Sequence, residues 1–247
     1  MGLAQRVFRR AVRAYDTKVL KRAPDVWHSW KNIIEFEHNA KDREWMQLMM
    51  YHEMMNEIEE VPGDVAEFGV AVGVSFIAFI RILSIMERGY SHKERRNLYG
   101  FDSFEGLPEL SDEDMGSKPA IASMQKGGFV SRKGYEDLFK YVENTPNAAL
   151  YKGWFKETLP KFLADNPHTS FAFIHMDADL YESTKPVLDL LWDRLNPGGI
   201  ILFDELFHPS YPGETVAYRD ALSAKTGEFT IHKSKVMRDK KYIIKKR

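Results

Sequence analysis

Two stretches of this chain are built alike. Phe173-Ile-His-Met-Asp-Ala-Asp-Leu-Tyr-Glu-Ser-Thr184 and Ile200-Ile-Leu-Phe-Asp-Glu205 are apolar runs that end on carboxylates. In an open parallel sheet, two such runs place their acids together at the carboxyl edge, where ligands bind. Asp177, Asp179, Asp204 and Glu205 could then hold one hard divalent cation through oxygen ligands. Carboxylates at strand ends also serve as helix N-caps. Two acid-tipped strands in tandem, behind a glycine-rich turn, favour the ligand site.

The rest of the chain supplies the alternation such a sheet needs. Strands are predicted at Val65–Gly69, Leu98–Asp102, Ala149–Lys152, Ser170–Met176 and Ile200–Phe203. Helices are predicted at Val74–Met86, Tyr135–Val142, Glu157–Leu163, Ser183–Leu195 and Thr215–Lys225, with Asn196-Pro-Gly-Gly199 as a helix stop. Phe229–His232 and Lys241–Ile244 read as a terminal antiparallel pair. Strands alternating with helices imply a doubly wound, mostly parallel sheet. The stretch Glu109–Gly134 is long, polar and glycine-containing, and reads as a mobile lid.

At 247 residues and 44% hydrophobic content the chain suits one α/β domain, residues 61–247, behind a helical extension, residues 1–60. Within the extension, Trp45 to Ile58 reads as a Met-rich helix leading into the domain, with His52 structural. A net charge of −1 leaves no nucleic-acid footprint. The absence of cysteine excludes disulfides and thiolate metal sites and fits a reducing cytoplasm. The longest apolar stretch, Phe76 to Met86, is interrupted by Arg81 and too short to span a bilayer, and the start lacks the pattern of a secretory signal. Residues 1–24 carry seven cations against Asp16, a net of +6, on a helical apolar spacing. This basic amphipathic helix could lie on an anionic membrane surface or pack its apolar stripe on protein. The stretch from Lys233 holds eight basic residues against Asp239 and reads as a solvated edge.

Glu67-Phe-Gly69-Val-Ala-Val-Gly73-Val-Ser75 joins the first strand to its helix. Glycines let the backbone approach a ligand closely, and the helix N-terminus favours negative charge. A nicotinamide dehydrogenase would prefer G-x-G-x-x-G with an acid about 20 residues on. The spacing here is G-x-x-x-G, and Asp102 lies 29 residues past Gly73. A ligand without phosphates, held by glycine backbone and one ribose-binding acid, fits better, and S-adenosylmethionine is such a ligand. Asp102, at the next strand tip, can accept bonds from both ribose hydroxyls.

The run Gly63 to Gly73 resembles the first motif of class I methyltransferases. Asp102-Ser-Phe-Glu-Gly-Leu-Pro108, Gly153-Trp-Phe-Lys-Glu-Thr-Leu-Pro160 and Met176-Asp-Ala-Asp-Leu-Tyr-Glu-Ser-Thr184 are similar to motifs of the macrocin O-methyltransferase family. Its members methylate sugar hydroxyls on macrolides and related natural products. The resemblance covers about residues 60–225. It implies a seven-stranded Rossmann-like sheet, S-adenosylmethionine and a magnesium-type ion. Glu67, Gly69 and Gly73, with Ser75 at the end of the turn, would surround the amino-acid part of the cofactor. Asp102 would take the ribose, with Ser103 and Phe104 beside the adenosine, and Gly153 and Trp154 would flank the adenine. Asp177 and Asp204 match the metal positions. Glu205 stands where the family usually has a second Asp, so its extra methylene moves that carboxylate.

The implied reaction is methyl transfer to a sugar hydroxyl of a natural product or glycan. A divalent cation would polarise the hydroxyl, and positioning would supply much of the rest. Asp177 and Asp204 are near the proton to be removed, and His208 is a candidate general base. The same cofactor and metal would serve a catechol-type methyltransferase acting on a small aromatic diol, and a non-catalytic cofactor-binding protein is a third reading. The resemblance makes a homo-oligomer plausible.

Overall fold

The computed structural model describes residues 42–89, 95–115, 125–130 and 135–247, so the basic segment 1–24 lies outside the described residues. Gln47–Arg247 form one compact unit. The elements are α1 (Asp42–Glu57), β1 (Asp64–Phe68), α2 (Val74–Gly89), β2 (Leu98–Asp102), α3 (Tyr135–Glu143), β3 (Ala148–Lys152), α4 (Phe155–Asp165), β4 (Phe171–Met176), α5 (Tyr181–Leu191), β5 (Leu195–Phe203), α6 (Pro212–Leu222), β6 (Phe229–Lys233) and β7 (Lys241–Lys245). The seven strands run in the order β3-β2-β1-β4-β5-β7-β6. β1 to β5 pair in parallel, and β7 pairs antiparallel with both β5 and β6. The chain therefore winds outward from β1 twice, once through β2 and β3 and once through β4 and β5. The reversal falls between β1 and β4, where an open sheet leaves a crevice at its carboxyl edge.

The apolar runs fill two cores, one on each face of the sheet. Met50, Met54, Phe76, Phe79, Leu138 and Val142, from α1, α2 and α3, pack one face. Leu159, Phe162, Val187, Leu191, Tyr218 and Leu222, from α4, α5 and α6, pack the other. All six residues of β4 are buried, which is why its sequence shows no polar alternation. On the second face Phe68 pairs with Phe101 and Phe101 with Tyr151 in register. Their rings stack at 4.8 Å and 4.9 Å, a ladder across three strands.

Two differences from the sequence expectation concern β5 and the C-terminal stretch. Asn196-Pro-Gly-Gly199 does not lie beyond a helix. α5 ends at Leu191, a 3₁₀ turn covers Trp192–Arg194, and β5 already begins at Leu195. The ladder pairs Phe171 with Leu195 and then Phe173 with Ile200, so the Pro-Gly run is absorbed as an irregularity in β5. The Asn196 amide donates to the Pro62 carbonyl at 2.7 Å and to Ser170 Oγ at 2.9 Å, and pins this bulge to the start of β1. The second difference is the basic C-terminal stretch. It is not uniformly solvated, because Lys240 is 3% exposed.

Candidate active site

Main-chain pairing continues past the strand ends and fixes the acids. The Asp177 amide donates to the Phe68 carbonyl, and the Asp204 amide to the Met176 carbonyl, each at 2.9 Å. Gly69 closes β1 with φ +94°, and a Cβ there would lie 1.7 Å from the Asp177 carbonyl oxygen. Only glycine lets β1 and β4 part at this spacing.

Asp102 ends β2. Its Oδ2 accepts the Ala71 amide at 2.8 Å and its Oδ1 the Phe104 amide at 2.6 Å. Both oxygens are held by backbone, and each retains acceptor capacity for a ligand hydroxyl. The Asp102 carbonyl accepts the Gly153 amide at 2.9 Å, which brings Trp154, the N-cap of α4, to the same edge.

These residues line a cleft of about 830 Å³. Gly69, Asp102, Ser103, Phe104 and Trp154 line it, as do Asp177, Asp179, Asp204, Glu205 and Tyr211. Asp102 and Asp177 tip strands that flank β1 on either side, roughly 10 Å apart at the sheet's strand spacing. The remaining expected residues are not among those that line it. Glu67 is fully buried and meets His175 Nδ1 at 2.8 Å. Gly73 packs on α3, where a Cβ would lie 2.6 Å from Leu138 Cδ1. Ser75 sits half-buried in the first turn of α2. Gly153 acts through its amide and takes φ +138°. His208 is exposed, with Nδ1 3.5 Å from Glu205 Oε2 and its ring against Tyr211.

The acids of the cleft are unequal. Burial, then the neighbouring carboxylates of Asp204, Asp179 and Glu67, push Asp177 well above the usual range. Burial and Asp204 raise Asp179 to about 6. Burial and Asp204 also raise Glu205 to about 7. Desolvation also pushes the half-buried Asp204 upward, yet it falls below its ordinary value because Lys240 Nζ lies 2.6 Å from its Oδ1. The same ammonium donates to the Asp204 carbonyl at 2.9 Å and stands 3.9 Å from Glu205 Oε1. Beneath them, fully buried Glu214 accepts the Glu205 amide at 3.0 Å, and burial followed by Asp204 raises its pKa well above normal. Among the described residues the cluster therefore carries more carboxylate than the Lys240 ammonium offsets.

Three participants carry no sequence signal of their own. Lys240 belongs to a lysine-rich stretch, Glu214 to an ordinary helix start, and His175 to an apolar strand. Asp179 adds a further feature, a non-glycine φ of +58°. Asp is among the few residues that tolerate this region.

The lid expected at Glu109–Gly134 is in part pinned among the described residues. Asp114 is buried, its Oδ1 accepts the Tyr181 amide at 2.8 Å, and its Oδ2 accepts the Ser111 amide and hydroxyl at 2.9 Å. Glu109, Leu110, Ser111, Lys126 and Phe129 join the cleft lining from this segment.

The chain is similar to known methyltransferases. A 4'-O-methyltransferase of 8-demethyl-8-(2,3-dimethoxy-alpha-L-rhamnosyl)-tetracenomycin C from Streptomyces olivaceus is 33% identical over 59% of this chain and 53% of its own length. The mycinamicin III 3''-O-methyltransferase of Micromonospora griseorubida is 30% identical over 65% of this chain and 61% of its own. The chain thus spans just over half the length of the curated relatives it matches. Among solved structures, a calicheamicin methyltransferase superposes with a TM-score of 0.75 at 27% identity, covering 92% of this chain and 89% of that one. The profile of macrocin-O-methyltransferases (TylF) matches residues 41–231, and the chain belongs to that family.

Proposed function

We propose that this protein is an S-adenosylmethionine-dependent O-methyltransferase that methylates a sugar hydroxyl of a natural product or glycan with the help of a divalent cation. The observation that carries this reading is one cleft lined both by a ribose-type acid with preset oxygens, Asp102, and by an electron-rich carboxylate cluster. Family membership and the relatives' sugar-directed names support it.

In this reading Asp102 binds the two ribose hydroxyls of the cofactor. Gly69 and the Ala71 amide border its amino-acid portion, and Trp154 and Phe104 flank the adenine. The donor set fits a divalent cation: Asp177, Asp204 and His175 each offer an atom within 4.8 Å of the others, and the cluster has carboxylate charge in excess. Asp177 and Asp204 would hold the ion, with Glu205 alongside, and when bound it would polarise the acceptor hydroxyl. Asp179 lines the cleft beside this cluster and is the residue proposed to take the hydroxyl proton, in preference to His208, which does not line the cleft. The site's cytoplasmic setting, acceptor partner and homo-oligomeric assembly remain part of the same proposal.

Methyl transfer from S-adenosylmethionine to a panel of rhamnosylated and related deoxysugar glycosides, read by mass, tests the reaction. Turnover should stop in EDTA and return with Mg²⁺ or Mn²⁺. Asp179→Asn should lower kcat by about 100-fold or more. Full turnover in EDTA would contradict the role of the cation, and transfer confined to catechols would replace the sugar acceptor.

A further inference from the structure

We propose that His175 is itself a ligand of the divalent cation, so that the centre is a mixed nitrogen and oxygen site suited to a manganese-type transition ion. This inference rests on the metal-assisted reading above and goes beyond it.

His175 lies on β4, two residues before Asp177, and residues so spaced project from the same face of a strand. It is 1% exposed. Glu67 stands opposite it in the β1–β4 register, and Glu67 Oε1 meets His175 Nδ1 at 2.8 Å. A carboxylate can only accept, so Nδ1 carries the proton and Nε2 keeps its lone pair. Among the described residues, that buried Nε2 has no hydrogen-bond partner. His175 nevertheless belongs to the group whose ligand atoms, with those of Asp177 and Asp204, all lie within 4.8 Å of one another.

A buried imidazole with one nitrogen tied to a carboxylate and the other bare, next to two carboxylates, is the arrangement adopted by metal-ligating histidines. The ring cannot swing away. Tyr51 and Phe79 hold it edge-on at 5.4 Å and 5.5 Å. A purely structural histidine here would be expected to satisfy both nitrogens, and a doubly protonated one would donate from Nε2 to a neighbouring carboxylate. Neither bond is made among the described residues. Glu67 thereby acquires a role as a positioning residue that sets the tautomer of His175. Imidazole suits transition ions better than magnesium, which favours oxygen alone.

The test uses the full chain, stripped with EDTA and reloaded with Mn²⁺. Pulsed electron paramagnetic resonance should detect nitrogen hyperfine coupling from a directly bound imidazole, and the coupling should vanish in His175→Gln. By calorimetry, His175→Gln should weaken Mn²⁺ binding by about tenfold or more, and Mg²⁺ binding by less. Glu67→Gln should weaken Mn²⁺ while keeping the nitrogen coupling. Mn²⁺ bound to the wild type without nitrogen coupling would overturn this proposal and leave a carboxylate-only metal site standing. No Mn²⁺ binding at all would overturn both. If His175→Gln fails to fold, the wild-type spectrum alone decides.

Discussion

At the scale of single residues, the site depends on a few positions where only one side chain fits. Gly69 is the sharpest. Its φ is +94°, and a Cβ placed on it would come within 1.7 Å of the Asp177 carbonyl oxygen, so a methyl group has no room. Gly69→Ala should cost more than about 1 kcal/mol of stability, read from the urea midpoint, because neither the backbone angle nor the neighbouring strand can yield cheaply. Unchanged stability would mean that β1 and β4 separate more freely than this spacing implies. Asp102, Asp177 and Asp204 were legible in the sequence because each follows an apolar run directly. His175 and Lys240 were not, because their partners are remote, and Glu214 was not, because it looks like an ordinary helix start. Glu67 and His175 are 108 positions apart, and Lys240 and Asp204 are 36 apart. Local pattern carries no trace of such pairings. Glu67 stands opposite His175 in the strand register and meets it at 2.8 Å, and it is not among the residues that line the cleft.

At the scale of elements, the strand and helix sequence was readable because hydrophobic runs of strand length alternate with helical spacing. The misread element, Asn196-Pro-Gly-Gly199, carries every local mark of a helix stop. Tertiary pairing with β4 draws it into the sheet instead, and Gly198 at φ +86° lets the chain bulge there. The segment after β2 shows the reverse effect. Its polar, glycine-rich composition suggests a free loop, yet Asp114 ties residues 111–115 to the start of α5. Asp114→Ala removes the acceptor for those three bonds and leaves the half-buried amides of Ser111 and Tyr181 without it, a loss of about 1–3 kcal/mol. Hydrogen exchange should accelerate at Ser111 and Tyr181 in this variant, while the amides of β4 stay protected. Uniform acceleration would instead mean that Asp114 supports the whole fold.

At the scale of the whole molecule, the central fact is a crevice at the carboxyl edge of a doubly wound sheet, lined by acids that cannot all ionise comfortably. Asp179 and Glu205 have folded pKa values near 6 and 7, above their ordinary values of 3.8 and 4.5. Groups raised in this way contribute stability that is fully present below the unfolded pKa and is lost as pH rises through the folded one. In the presence of EDTA, the urea midpoint should therefore fall between pH 5 and pH 8. Asp204 acts in the opposite sense, but its depressed pKa confines its effect to more acid solution. A saturating divalent cation should reduce the fall, since it stabilises the ionised carboxylates. A midpoint that rises over this range would contradict the picture of crowded, raised carboxylates.

The most direct test of the account is S-adenosylmethionine binding by calorimetry, with the wild type and Asp102→Ala compared in the presence and absence of Mg²⁺. The account predicts clear binding by the wild type, and a loss of at least about tenfold in Asp102→Ala, whose missing carboxylate leaves the ribose hydroxyls without charged acceptors. Equal affinity in the two proteins would contradict the role of Asp102, and no binding under either condition would contradict the methyltransferase reading itself.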